Sequence, residues 1–286
     1  MRSSRPMNST RSTTTQPLRV GAVSYLNTKP LVYRLKEFAP DICLTFDLPS
    51  RLADDLADGR LDVALIPSIE FFQDSRYELV SDACIACRGP VLSVKLLSRR
   101  PMSEIRSLAL DEGSRTSAAL TQVLLANRFG VRPKLETLPI GSDATRTTTD
   151  AVLLIGDRAI HPPEADFVEV WDLGDEWCRW AELPFVFAAW VARPGVELGS
   201  LPEALAAARD AGVAHLEQIA AQEAPAVRLS TADCLSYLRD NLYFYLGPRE
   251  RRGLELFRRR AAELGFAPET EPDGGPMLEP TELLAE

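Results

Sequence analysis

Only two histidines occur in the 286 residues, His161 and His215, and neither stands near a second group that would complete a catalytic or metal-binding set. H-E-x-x-H, G-x-S-x-G, G-x-G-x-x-G and G-x-x-x-x-G-K-[ST] are all absent. That removes the zinc-protease helix, the serine-hydrolase elbow and both glycine-rich phosphate cradles. Long apolar runs are missing too: Leu183–Ala192 is the longest uncharged one, far short of the ~20 residues a membrane helix needs. An excess of positive charge is also lacking, and the net −9 argues against a nucleic-acid partner. Any anion site must therefore be made positive locally. The five cysteines are odd in number and scattered, which fits a reducing compartment. Cys84 and Cys87 form the one C-x-x-C and read as buried strand residues, so no metal is expected. The N-terminal MRSSRPMNSTRSTTTQP lacks the apolar run of ~7–15 residues of a secretory signal. It reads as a disordered tail over residues 1–17, with Met7 an alternative start and the cytoplasm the expected location.

What is present is a soluble composition, 45% hydrophobic and 26% charged, on a chain long enough for two domains. Apolar runs alternate with helical spacing. Val20–Val23 reads as a strand, followed by a polar turn and a helix with Leu31, Leu35 and Phe38 inward. Ile42–Leu48 and Leu61–Ile66 flank a helix capped by Ser50, carrying Leu52 and Leu56 inward and ended by Gly59. These strands are apolar throughout, as parallel strands covered on both faces should be. Leu79–Arg88 and Val91–Ser98 are further strands, and Arg99-Arg100-Pro101 marks a crossing. A second block follows: Leu108–Leu110, a helix from Thr116 to Phe129, then Ala151–Ile155, Phe167–Trp171 and Phe185–Val191. From Ser200 onward the spacing is helical, opening with the capping box Ser200-x-x-Glu203, with further starts near Ser230 and Pro248. The basic clusters Arg249–Arg252 and Arg258–Arg260 read as a solvated face. The fold class expected is α/β in two lobes, with mixed sheets flanked by helices. Residues 18–98 and 192–286 would form one lobe and residues 99–191 the other, leaving a ligand cleft between them.

Five polar turns stand at strand ends, where open α/β sheets bind ligands. They are Ser24–Lys29, Ile66–Phe71, Gly89–Lys95, Glu112–Ser117 and Leu154–Ala159. In the fourth, hydroxyls and helix N-terminal N–H groups lie beside Arg115, a natural carboxylate site. One helix cap would explain a single hydroxyl; it does not explain five such turns.

The segments VGAVSYLNTKPL, LDVALIPSIEF, GPVLSVKLLS, SRTSAALTQVLL, AVLLIGDRAI and the stretch from Asp172 to Trp190 together resemble the chorismate dehydratases of the menaquinone pathway. The likeness is strong from about Leu18 to Ala192 and loose in the helical tail. The related dihydroxynaphthoate synthases carry a Ser-Pro-Cys-Pro-Asn-Asp turn in the first position, which this chain lacks. The resemblance implies a type II periplasmic-binding-protein-like fold. It also implies dehydration of chorismate to 3-[(1-carboxyvinyl)oxy]benzoate in the futalosine route, with no cofactor, because aromatisation drives the step. Asn27 and Ser93 are the expected catalytic residues. Ser24, Tyr25, Thr28, Ser68, Val94, Ser114, Arg115, Thr116, Ser117, Gly156 and Asp157 are the expected substrate contacts. Glu70, Asp157 and the substrate's own side-chain carboxylate stay open as the general base. The expected partner is the small-molecule substrate, with a homodimer open, and a non-catalytic small-anion binding protein of the same fold is the alternative.

Overall fold

The computed structural model describes residues 16–163 and 166–269. Most of the segment expected as a disordered tail, residues 1–15, and the last 17 residues of the helical tail lie outside the described residues. Eleven strands build two sheets among the described residues. They are β1 (Arg19–Val23), β2 (Cys43–Asp47), β3 (Val63–Pro67), β4 (Glu78–Cys87), β5 (Val94–Ser98), β6 (Ser107–Asp111), β7 (Lys134–Leu138), β8 (Ala151–Ile155), β9 (Glu169–Asp172), β10 (Phe185–Ala192) and β11 (Tyr243–Tyr245). The first sheet runs β11-β4-β10-β3-β1-β2 and the second β7-β6-β8-β5-β9.

Each sheet has a parallel half, β2-β1-β3 or β7-β6-β8, to which antiparallel strands are added. The added strands come from the crossings: β5 leaves β4 to pair antiparallel with β8 and β9, and β10 returns to pair antiparallel with β3 and β4. The sheets therefore divide the chain earlier than the expected boundaries at Arg99 and 192. Residues 88–93 and 183–184 are the crossings, because an apolar strand such as β5 reads the same whichever sheet accepts it.

Central strands β3, β8 and β10 are buried at every position, as strands covered on both faces must be. β2 departs from that expectation: it is the outermost strand, has one neighbour, and leaves Phe46 52% exposed. β7 and β11, short or polar edge strands, carry no apolar run that marks them in the sequence. The helix Pro49–Ala57 starts with proline at its first turn and buries Leu52, Ala53 and Leu56. Ser50 lies inside that helix, buried, so it does not cap it. The Ser200 side chain makes no cap bond either. After β1 the chain forms a 3₁₀ stretch, Leu26–Val32, and then one helical turn, Leu35–Phe38. Arg34 in the left-handed region breaks the two apart, so Phe38 loses the expected phase and is exposed.

The C-terminal helices lie against the first sheet. Helix Leu201–Ala214 packs its Gly212 on the Pro30 carbonyl so tightly that a Cβ there would sit 2.0 Å from the oxygen. Phe257 of helix Pro248–Ala262 meets Phe72, Phe185 and Trp177 at ring separations of 5.9, 4.9 and 5.9 Å. Within the basic clusters Arg258 is buried and pairs with Glu255, so that face is not wholly solvated.

Candidate functional site

Between the sheets lies a cleft of about 530 Å³, its open mouth included. Tyr25 and Asn27 follow β1, Pro67 ends β3, Gly113–Ser117 follow β6, and Gly156 follows β8. The carboxyl ends of parallel strands from both sheets thus border one space. Ile85, Val91, Phe187 and Ala188 supply an apolar wall.

On the first-sheet side, Asn27 lines the cleft, and its Oδ1 accepts from Thr28 Oγ1 at 3.4 Å. Thr28 itself is fully buried behind it. Ser24 is exposed and does not line the cleft; its N–H donates to the Asp47 carbonyl and holds β1 to β2. Tyr25 reaches across to the other half. Its ring lies over Gly156, where a Cβ would come within 2.9 Å of Tyr25 Cζ. Gly156 has φ +63 and ψ −150, a conformation in effect reserved for glycine. Burial, with Asp111 nearby, pushes the Tyr25 phenol up to about 12, so it is a neutral donor.

Ser93 and Val94 enter from the crossing after β4. Leu92 is held in the left-handed region at φ 59, and Ser93 N donates to the Val91 carbonyl at 2.7 Å. A non-glycine residue there costs of order 1 kcal/mol. The Asp172 carboxylate secures the turn, accepting Val91 N at 2.9 Å and Leu92 N at 2.6 Å while also capping helix Leu173–Ala181 through Gly174 N and Asp175 N. Behind Ser93 and Asn27 stands Tyr237, buried at 1% exposure, from the C-terminal region. Nothing in the surrounding sequence, Cys234-Leu235-Ser236-Tyr237-Leu238, sets this hydroxyl apart.

From the second sheet, the turn Gly113–Ser117 leads into helix Thr116–Phe129. Neither Ser114 nor Thr116 caps that helix. Thr116 instead spans the cleft floor, its Oγ1 accepting from Ile69 N at 3.2 Å. The first N–H groups of the helix have no acceptor within it and present a positive end. Arg115 lines the cleft but is already paired across its mouth, with Asp54 at 2.8 Å and Glu70 at 3.2 Å. It therefore clasps the two halves while bordering the ligand space. Ser68 is buried and donates to the Val186 carbonyl at 2.6 Å, away from the cleft.

Neither protein carboxylate considered as a base lines the cleft. Glu70 holds Arg115, although burial raises its carboxyl above the ordinary value. Asp157 accepts from Leu26 N across the halves at 3.3 Å and is likewise raised by burial. Among the described residues no three His, Cys, Asp or Glu side chains gather as a metal site requires. What the cleft offers is a set of uncharged donors, a helix N-terminus and one clasped arginine facing an apolar wall. That set suits a small anion.

A family model described as menaquinone biosynthesis matches residues 18–263. A chorismate dehydratase of Thermus thermophilus is 32% identical over 274 residues, covering 88% of this chain and 98% of that one. A Campylobacter jejuni chorismate dehydratase is 29% identical over 174 residues, covering 59% of this chain and 64% of its own. Among solved structures, a protein of Archaeoglobus fulgidus superposes with a TM-score of 0.66 at 13% identity, covering 88% of this chain and 99% of that one. The periplasmic aliphatic sulphonate-binding protein of Escherichia coli does so with 0.55 at 14%, covering 93% and 96%. These last two likenesses concern the fold, which is periplasmic-binding-protein-like.

Proposed function

The chain belongs to the menaquinone-biosynthesis family, and we propose that it acts there as a chorismate dehydratase, a carbon–oxygen lyase. The reaction removes the proton on ring C3 and the hydroxyl on C4, giving 3-[(1-carboxyvinyl)oxy]benzoate and water. C3 is the vinylogous α-position of the ring carboxylate, so the electron pair left by the proton spreads onto that carboxylate as a dienolate. Expulsion of the C4 hydroxyl then completes the aromatic ring.

One observation carries the reading: the cleft lining sets neutral donors, a helix N-terminus and Arg115 against an apolar wall and includes no carboxylate side chain. Asn27 and Ser93 would bracket the reacting edge, while Ser114, Ser117 and the N-terminus of helix Thr116–Phe129 would hold a carboxylate. Such donors stabilise charge as it develops and need no reorganisation at the moment of reaction. They also supply the local positive potential that a chain of net charge −9 otherwise lacks. Glu70 and Asp157 are both engaged in contacts between the halves. Their engagement favours the third base, the substrate's own side-chain carboxylate. The cytoplasm is the location we infer, and a biosynthetic step of this kind supports it.

The test is to mix purified protein with chorismate and follow the ultraviolet spectrum and the chromatographic profile. Chorismate should disappear as the substituted benzoate forms. Chorismate held by the protein but recovered unchanged would refute the lyase reading and leave an anion-binding protein of the same fold.

A further inference from the structure

The Tyr237 hydroxyl is buried and has no hydrogen-bond partner in satisfactory geometry. A phenylalanine would fill the same volume without leaving a buried donor unpaired, so packing alone gives no reason for the oxygen. It faces two side chains of the cleft wall, Ser93 and Asn27. Tyr237 opens a π-helical turn, Tyr237–Asn241, a form that recurs at functional sites. Asn241 ties that turn to the crossing segment by donating from Nδ2 to the Pro90 carbonyl at 2.9 Å, three residues before Ser93. The phenol is thus fixed to the same backbone that carries the Ser93 hydroxyl.

We propose that Tyr237 is a positioning residue, its hydroxyl orienting the Ser93 hydroxyl and the Asn27 amide so that both aim their protons at the substrate. This rests on the dehydratase reading above. Thr28 Oγ1 donates to Asn27 Oδ1, which engages the amide oxygen. The Asn27 NH₂ then has one hydrogen for the phenol oxygen and one for the cleft. With a small closure of this contact the phenol would donate to Ser93 Oγ, which leaves the serine proton for the substrate. Burial holds the phenol above its ordinary pKa, so the relay stays protonated through the neutral range.

The experiment is Tyr237→Phe, assayed beside Asn27→Ala, Ser93→Ala and the Tyr237→Phe/Ser93→Ala pair. The single variant should lose ~10-fold or more in kcat, with KM within about threefold and no fall in Tm. In the Ser93→Ala background the same change should lose most of its effect, because no serine proton remains to be aimed. Parental kcat in Tyr237→Phe would overturn the inference. So would a loss that multiplies in full with that of Ser93→Ala. A lowered Tm with unchanged turnover per folded molecule would make Tyr237 structural only. If the parent enzyme leaves chorismate untouched, the dehydratase reading fails, and that result is distinct from a silent Tyr237→Phe in an active enzyme.

Discussion

Gly156 couples a backbone conformation to a side-chain contact, because φ +63 leaves no room for Cβ and the Tyr25 ring occupies the place Cβ would take. Gly156→Ala should therefore lose ~1–3 kcal/mol of stability from the strained backbone and also displace Tyr25. A thermal melt should show the loss, and an unchanged Tm would mean the turn relaxes freely. Asp157, one residue on, allows a pH test. Burial raises its folded pKa, so the ionised carboxylate weakens folding at neutral pH, and that penalty is relieved as pH falls through the raised value. Asp157→Asn should be more stable than the parent at pH 7 and match it below the ordinary carboxylate value of about 3.9. It should also keep kcat within a few-fold, whereas a loss of ~10³ or more would make Asp157 the general base. Asn27, Ser93, Ser114–Ser117 and Gly156 were legible as cleft residues because polar turns interrupt apolar strands there. Ser24, Thr28 and Ser68 sit in the same turns but face other ways. A turn's composition locates the site without saying which of its side chains point inward. Tyr237 was illegible for a different reason, since an unpaired buried hydroxyl exists only once the tail has packed.

Among the elements, the turn before β5 depends on a carboxylate 80 residues away in sequence, Asp172 against Leu92. Asp172→Asn would place an NH₂ group against backbone donors. The expected loss is ~1–3 kcal/mol of stability, with kcat falling as the Ser93 turn loosens. A melt and a steady-state assay on the same preparation check both, and full activity with a lowered Tm would separate the turn from catalysis. The alternation of strands and helices was readable because β3, β8 and β10 are apolar at every position. The edges were not: β7, Lys-Leu-Glu-Thr-Leu, buries only its final leucine, so neither periodicity nor a continuous apolar run marks it.

For the molecule as a whole, Arg115 with Asp54 and Glu70 joins the halves across the cleft mouth. Arg115 and Asp54 keep a third and about half of their side-chain surface in water. Such pairs contribute ~0–1 kcal/mol each and weaken with salt, a strength suited to a mouth that must open and close. Arg115→Ala should enlarge the radius of gyration in solution scattering at low salt, and high salt should move the parent toward the variant. Identical scattering profiles would show that other contacts set the separation.

The exchange of strands between the sheets also governs how the protein emerges from the ribosome. β10 lies between β3 and β4, so the centre of the first sheet cannot form until residues 185–192 have been synthesised, about a hundred residues after β4. During that interval two strands with apolar faces wait with open edges, the arrangement most exposed to pairing with a second nascent chain. The second sheet, whose five strands all lie between residues 94 and 172, can close first. The last half of the chain is thus required to finish what the first ninety residues begin, and a truncation placed before β10 would release an unfinished sheet rather than a smaller domain.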